Sequence, residues 1–128
     1  MLNVLLIEDE EGGRVLFQRV LQHVEKNYSF FHTNNVDDSF SFFEDIDKTP
    51  DIVFLDLNLP NKNGWYFLEE LTRRYPNNDV KVFILTSSVN EEDVFLSNKF
   101  YQVKGYYSKP ITIEKMKQMN AHIQEILK

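Results

Sequence analysis

The fold is constrained most by a regular alternation of short apolar runs and longer amphipathic segments along the chain. Residues 3–7 (NVLLI), 51–55 (DIVFL) and 80–85 (VKVFIL) are almost continuously apolar, as expected of strands that are buried on both faces. Residues 28–33 and 105–108 form two further short β-rich runs. Five β–α units in succession predict a single α/β domain, with a doubly wound parallel sheet and helices on both faces.

Apolar residues at helical spacing follow these runs and predict the helices. The first helix is expected at about 13–26, the second before Lys48, and the fourth from an Asn90 N-cap to about Phe100. Four of the helices carry an apolar stripe that we expect to face the sheet. The stripes consist of Leu16, Phe17, Val20, Leu21 and Val24; Phe40, Phe43 and Ile46; Trp65, Leu68, Leu71 and Tyr75; and Ile113, Met116, Met119, Ile123 and Ile126.

Composition and charge exclude several classes of protein. The chain has 128 residues, and its 14 Lys and Arg against 20 Asp and Glu give a formal net charge of −6, which disfavours a nucleic-acid partner. The absence of cysteine excludes a disulfide scaffold and a thiolate metal site. The start of the sequence lacks the pattern of a signal peptide, and no apolar stretch reaches roughly 18 residues, so we expect neither a signal peptide nor a membrane span. We therefore expect one cytoplasmic domain over residues 1–128, with no membrane partner and no output domain.

Polar residues follow four of the predicted strands, namely Glu8-Asp9, Asp56, Thr86-Ser87 and Lys109. The carboxyl ends of parallel strands meet at one edge of a sheet, so these side chains should lie close together. Two carboxylates ~5 Å apart repel by on the order of 3 kcal/mol at an effective dielectric near 20, and one ammonium cannot offset three such contacts. An all-oxygen ligand set favours Mg²⁺, and Mn²⁺ could substitute for it.

The same residues suggest phosphoryl chemistry. Asp56 follows the central strand and is the natural nucleophile, because carboxylates form aspartyl phosphates. Lys109 and the cation would neutralise the transferring phosphoryl oxygens. The Thr86 hydroxyl can donate to a phosphoryl oxygen only after transfer, so we expect it to act as a sensor. For Glu10 we expect an ordinary solvated acid.

Four motifs in order resemble the receiver domain of two-component response regulators: IEDE, LDLNLPNKNG, FILTSS and GYYSKP. The resemblance covers essentially the whole chain and implies a flavodoxin-like (βα)₅ fold with strand order 2-1-3-4-5. It also implies that Asp56 accepts phosphate from a sensor histidine kinase or a phosphotransfer protein. The loops LDLNLPNKNG and SSVNEEDV are similar to those of stand-alone receivers that are encoded beside sensor kinases, including bacterial phytochromes.

The resemblance further implies a role for each residue of the metal site. Asp9, Asp56 and the backbone carbonyl of Asn58 would bind Mg²⁺ directly, and Glu8 would act through water. Lys109 would contact the phosphoryl group. Glu8 stands where Asp is more common, which lengthens the reach to the metal by one methylene.

The resemblance implies conformational roles as well. Thr86 would contact the phosphoryl group and form a switch pair with Tyr106, whose ring would move into the space that the hydroxyl vacates. Gly64 in LDLNLPNKNG and Pro110 in GYYSKP are expected to set the backbone conformation of their motifs. Asn58 and Ser88 occupy the positions that tune dephosphorylation.

Two further expectations concern protein partners. The Gly12-Gly13 pair should loosen the first turn of the first helix, beside the metal, and change kinase docking. The face formed by helix four, strand five and helix five is predicted to contact a downstream protein or to form a homodimer. Residues near this face are Phe95, Phe100, Tyr101 and Tyr107.

Other functions are compatible with parts of this pattern. A flavodoxin-like electron carrier shares the fold, but Glu8-Asp9-Glu10 would repel its FMN phosphate. A phosphatase of the haloacid dehalogenase type needs an acid at position 58, which is Asn. A docking module that works without phosphorylation would need neither Asp56 nor Lys109. We expect no enzymatic activity beyond self-catalysed phosphoryl transfer and autodephosphorylation.

Overall fold

The computed structural model describes residues 1–87 and 89–127 and contains a five-stranded parallel sheet. The strands are β1 (Leu2–Ile7), β2 (Tyr28–Thr33), β3 (Ile52–Asp56), β4 (Lys81–Thr86) and β5 (Val103–Ser108). Their order across the sheet is β2-β1-β3-β4-β5, and every neighbouring pair is parallel. The predicted topology is therefore confirmed.

Helices connect the strands. They are α1 (Glu11–Val24), α2 (Val36–Ser39), which continues as a 3₁₀ helix (Phe40–Glu44), α3 (Gly64–Arg74), α4 (Glu91–Ser97) and α5 (Ile113–Ile126). The Asn90 side chain accepts a hydrogen bond from the Asp93 amide, so the predicted N-cap of α4 is confirmed. None of the helices in these described residues has the length and apolar character needed to cross a membrane.

The sheet is covered on both faces, because successive residues of a strand point to opposite sides. Val53 and Leu55 of β3 pack on the face that carries α3, with Phe67, Leu68 and Leu71. Ile52 and Phe54 of the same strand pack on the face that carries α1 and α5. The α1 and α5 residues buried there are Phe17, Val20, Leu21, Met116, Met119 and Ile123.

The second helix differs from the prediction. Phe40 and Phe43 pack on the core, but they belong to the 3₁₀ helix, whose three-residue turn matches their spacing. The backbone becomes extended at Asp45, so Ile46 lies beyond the helix and is 91% exposed. Leu16 and Ile113 were also predicted to face the sheet, but they are 51% and 41% exposed.

Candidate functional site

The carboxyl ends of β1, β3, β4 and β5 meet at one edge of the sheet. Ile7 and Leu55 are register partners, which brings Glu8 beside Asp56. On the other side of β3, the Lys109 amide donates a 2.7 Å hydrogen bond to the Thr86 carbonyl. The parallel register therefore brings together residues from four distant segments, as the sequence predicts.

Lys109 joins the two buried acids of this edge. Its Nζ donates to Glu8 Oε1 at 2.7 Å and to Asp56 Oδ2 at 2.9 Å. Burial by itself lowers the pKa of Lys109, but the hydrogen bonds to Glu8 and Asp56 outweigh it and the pKa is raised. Lys109 therefore stays protonated and holds both carboxylates.

Glu8 has a raised pKa. It is buried, and burial raises its pKa to about 7, although the hydrogen bond from Lys109 opposes the shift. The neighbouring Asp56 raises the pKa further. Glu8 Oε2 is buried and has no hydrogen-bond partner within the described residues. Such an oxygen is under-satisfied unless a cation or a water contacts it.

Three carboxylates can share one ion here. One oxygen each of Glu8, Asp9 and Asp56 lies within 4.8 Å of the others. Asp9 is exposed and lines a cleft together with Asn58 and Trp65. Only oxygen donors are present in this group, and Glu8 Oε2 is left unpartnered. The residues therefore fit a hard divalent cation such as Mg²⁺ or Mn²⁺.

Asp56 is held from two sides. Its Oδ1 accepts a 2.9 Å hydrogen bond from the Asn58 amide, and its Oδ2 accepts the bond from Lys109. Asn58, which was predicted to tune dephosphorylation, therefore lies next to Asp56. Ser88, the other predicted tuning residue, lies outside the described residues.

Thr86 and Tyr106 lie on neighbouring strands, next to the acidic cluster. Thr86 is buried at the end of β4, and Tyr106 on β5 pairs with Ile84. The Tyr106 ring packs on the core of the α3 face and its hydroxyl is buried. Burial and Asp93 raise the pKa of Tyr106, whereas the nearby Thr86 hydroxyl lowers it, and the net pKa is raised. The ring thus already lies inward, although its hydroxyl makes no hydrogen bond of ordinary geometry to a described residue.

Gly64 allows α3 to begin directly against the loop after β3. A Cβ at this position would lie 2.9 Å from Leu57 Cδ2 and 3.1 Å from the Asp56 carbonyl oxygen. Because the second atom belongs to the backbone, a side chain here would displace the loop that carries Asp56. Pro110, the other conformational position, follows Lys109 through a cis peptide bond and is exposed.

Three residues near the site have positions that the sequence reasoning missed. His32 Nε2 lies 2.9 Å from the Glu8 carbonyl oxygen, and the pairing of Leu6 with His32 across β1 and β2 is the signal that could have indicated this. Trp65 was assigned to the core, but it is half-buried and lines the cleft with Asp9. Asp93, whose amide donates to the Asn90 side chain at the start of α4, lines the same cleft.

The fold and the cluster together define a class: a doubly wound parallel α/β domain with an acidic, lysine-bridged site at the carboxyl ends of its strands. Residues 4–121 match the family model of the response regulator receiver domain. The chain belongs to this family, whose members act in two-component signalling.

Similarity to individual response regulators supports this assignment. Response regulator Rcp1 of Synechocystis sp. is 29% identical over 111 residues, which cover 83% of this chain and 75% of Rcp1. The Mn²⁺-bound form of Rcp1 has a solved structure with a TM-score of 0.72 at 25% identity, covering 99% of this chain and 94% of that chain.

The chain is also similar to a phytochrome response regulator and to part of a sensor kinase. A solved structure of the phosphorylated cyanobacterial phytochrome response regulator RcpA is 25% identical with a TM-score of 0.75, and the match covers 98% of this chain and 92% of that chain. Sensor kinase CckA of Brucella abortus is 31% identical over 125 residues, which are 97% of this chain but 12% of CckA. The similarity to CckA therefore concerns one small part of that protein.

Proposed function

We propose that Asp56 of this receiver domain accepts a phosphoryl group from the phosphohistidine of a sensor histidine kinase or a phosphotransfer protein. An oxygen of the Asp56 carboxylate would bond to phosphorus while the phosphorus–nitrogen bond of the donor breaks. The electron pair of the broken bond would stay on the imidazole nitrogen. The observation that carries this proposal is the position of Asp56. It is buried at the end of the central strand, accepts a hydrogen bond from Lys109 and lies beside the carboxylates of Glu8 and Asp9.

Electrostatics supports a metal-dependent transfer. Lys109 is one positive charge for two buried acids, and Asp9 adds a third carboxylate at the cleft. A bound Mg²⁺ would supply the charge that offsets these acids and the phosphoryl oxygens. Asp9, Asp56 and the Asn58 carbonyl would hold it, with Glu8 acting through water, and Mn²⁺ could replace it. The solved Mn²⁺-bound form of Rcp1 supports this assignment.

The switch would follow the phosphoryl group. The Thr86 hydroxyl would donate to a phosphoryl oxygen once transfer is complete, which changes the packing around Tyr106. The switch would be a shift between two packings of the Tyr106 ring, one of which is the inward packing with the hydroxyl buried. Asn58 and Ser88 would set the lifetime of the phosphorylated state.

The output would be a protein contact through the face of α4, β5 and α5. Phe95 and Tyr101 are exposed on this side. The two other aromatic residues considered for it are less available, since Phe100 stacks on Trp65 and Tyr107 packs toward α5 with Phe83. The partner would be a downstream protein or a second copy of the chain, met in the cytoplasm and without nucleic acid or membrane.

The alternatives fit the site less well. An electron carrier of the flavodoxin type would place its FMN phosphate against Glu8 and Asp9, which are negative. A docking module without phosphorylation has no use for the buried pair of Asp56 and Lys109. We propose no enzymatic activity on other substrates, only transfer onto Asp56 and hydrolysis of the product.

Phosphorylation by a small donor tests this function. The chain is incubated with acetyl phosphate and MgCl₂, and intact mass is measured. One added phosphoryl group is expected, lost with EDTA and in Asp56→Asn. Asp93→Asn is the matched control, because this acid lines the same cleft but lies outside the three-carboxylate group. An unmodified native chain, or an Asp56→Asn chain modified as fast as the native one, would refute the proposal.

A further inference from the structure

Two adjacent glycines lie in the first turn of α1, and their surroundings differ. A Cβ at Gly13 would lie 2.8 Å from Glu8 Oε1 and 3.3 Å from Glu8 Cδ. A Cβ at Gly12 would have no described atom within 4 Å. Glycine is a poor helix residue at both positions, because it loses more conformational freedom than alanine. Of these two glycines, therefore, Gly13 alone has a steric reason to be glycine.

The space at Gly13 is filled by the carboxylate of the site. Glu8 is one methylene longer than Asp, so its carboxylate must turn back to remain in the cluster. It turns over Gly13 and accepts the hydrogen bond from Lys109 at 2.7 Å, while the residue stays buried. The Cβ of an alanine at 13 would lie 2.8 Å from Oε1, so one of the two must move.

We propose that Gly13 is a positioning residue for Glu8: the missing side chain at 13 provides the space in which the longer acid reaches Lys109 beside Asp56. The need for glycine at 13 depends on the length of the acid at position 8, since an aspartate there would not extend to the space over Gly13. The two positions should therefore be coupled, with glycine required only while residue 8 is glutamate.

A displaced Glu8 carboxylate can move into a neighbouring cavity. Beside it lies a cavity of about 290 Å³ between α1 and the segment that follows β5, lined by Gly13, Phe17, Pro110 and Ile111 among others. A methyl group at 13 can therefore push the carboxylate off Lys109 without disrupting the backbone. The expected result is a misplaced acid in a folded protein.

This displacement has a consequence for metal binding, which rests on the proposed function. One of the three carboxylates would leave the position in which its oxygen lies within 4.8 Å of the others. Changes to residues that orient a metal's ligands commonly weaken affinity by about tenfold or more. Gly13→Ala should therefore weaken Mg²⁺ binding although residue 13 offers no ligand.

The test is a set of alanine substitutions in two backgrounds. Gly13→Ala and the matched control Gly12→Ala are each made in the native chain and in a Glu8→Asp chain. The melting temperature is measured in EDTA, and Mg²⁺ affinity is measured by isothermal titration calorimetry.

The control should behave alike in both backgrounds, raising the melting temperature by about 3 °C through better helix propensity. Gly13→Ala should fall short of the control by at least about 3 °C in the native chain and match it in the Glu8→Asp chain. It should weaken Mg²⁺ binding about tenfold only where Glu8 is present.

The inference is overturned if Gly13→Ala raises the melting temperature of the native chain as much as Gly12→Ala does. Equal deficits in both backgrounds overturn it as well, because they would show that the length of residue 8 is irrelevant. A native chain that binds no Mg²⁺ would instead refute the metal site of the proposed function, and the melting temperatures would still decide the role of Gly13.

Discussion

Lys109 Nζ lies 2.9 Å from Asp56 Oδ2, across 53 positions of sequence, and the same ammonium lies 2.7 Å from Glu8 Oε1. Two buried carboxylates thus share one cation, which leaves a net negative charge in a buried place. Such a cluster costs free energy unless further positive charge reaches it. The site is therefore less favourable alone than with a metal ion.

Removing the ammonium should expose this cost. Lys109→Met keeps the length of the side chain and leaves Glu8 and Asp56 unpaired, so we expect a loss of about 2 kcal/mol in unfolding free energy in EDTA. Urea denaturation measures it, and MgCl₂ should restore part of the loss. Lys104→Met is the control, because Lys104 is an exposed lysine of the same strand. Equal stability of the two variants in EDTA would show that Lys109 is not needed to balance the acids.

Much of this site could be predicted because it depends on topology. Apolar runs at Asn3–Ile7 and Asp51–Leu55 identify parallel strands, and each run is followed at once by an acid. Since parallel strands end at the same edge, Glu8 and Asp56 had to be close, and the register of Ile7 with Leu55 agrees. Such inferences need only the order of the strands.

Other features depend on side-chain packing and could not be predicted locally. The burial of Glu8 and its contact with Lys109 arise from the way α1 begins over the end of β1, and nothing in IEDE specifies it. Ile46 continued an apolar spacing of three residues, but the chain becomes extended at Asp45. The inward position of Tyr106 depends on its packing against the core of the α3 face, which no local residue pattern describes.

The exposed acid of the cluster should contribute to metal binding but not to the stability of the metal-free protein. Asp9→Asn should not lower the unfolding free energy in EDTA and should raise it slightly, because it removes one of three mutually repelling carboxylates at a position exposed to solvent. In MgCl₂ the native chain should melt at a higher temperature than in EDTA, and Asp9→Asn should lose this gain.

The control for that prediction is Glu10→Gln, a neighbouring exposed acid outside the three-carboxylate group. It should keep the full gain in melting temperature. Trp65, the single tryptophan, lines the cleft with Asp9, so its fluorescence offers a second readout of Mg²⁺ binding. Loss of the gain in Glu10→Gln but not in Asp9→Asn would mean that the ion binds elsewhere.

The stability of the metal-free protein should fall as pH rises from about 4.5 to about 7. Burial raises the pKa of Glu8 from 4.5 to about 7, so in this range the folded state binds more protons than the unfolded state. Under this condition the unfolding free energy decreases with increasing pH. Glu70 titrates outside the window, because hydrogen bonding from Arg73 lowers its pKa to about 2.

Urea denaturation in EDTA between pH 5 and 8 measures this slope. Glu8→Gln has no charge to gain and should be less dependent on pH than the native chain. Mg²⁺ should reduce or reverse the native slope, because a cation favours the ionised carboxylate. A native chain whose stability rises across this range in EDTA would contradict the assignment of the perturbed pKa to Glu8.

The exposed aromatic residue of α4 tests the output surface. Phe95 is 66% exposed and projects near Lys99, whose Nζ lies 5.1 Å from the ring centroid.

If this surface contacts a second copy after phosphorylation, then MgCl₂ with beryllofluoride, a phosphoryl mimic, should increase the mass measured by light scattering. Phe95→Ser should abolish that increase at little cost in stability, since it removes few buried contacts. Leu16→Ser is the matched control, because Leu16 is 51% exposed but lies on α1, and it should still associate. Two results together would exclude this face as the output surface. The mass of the native chain would not change with the mimic, and Phe95→Ser would bind a downstream protein as tightly as the native chain does.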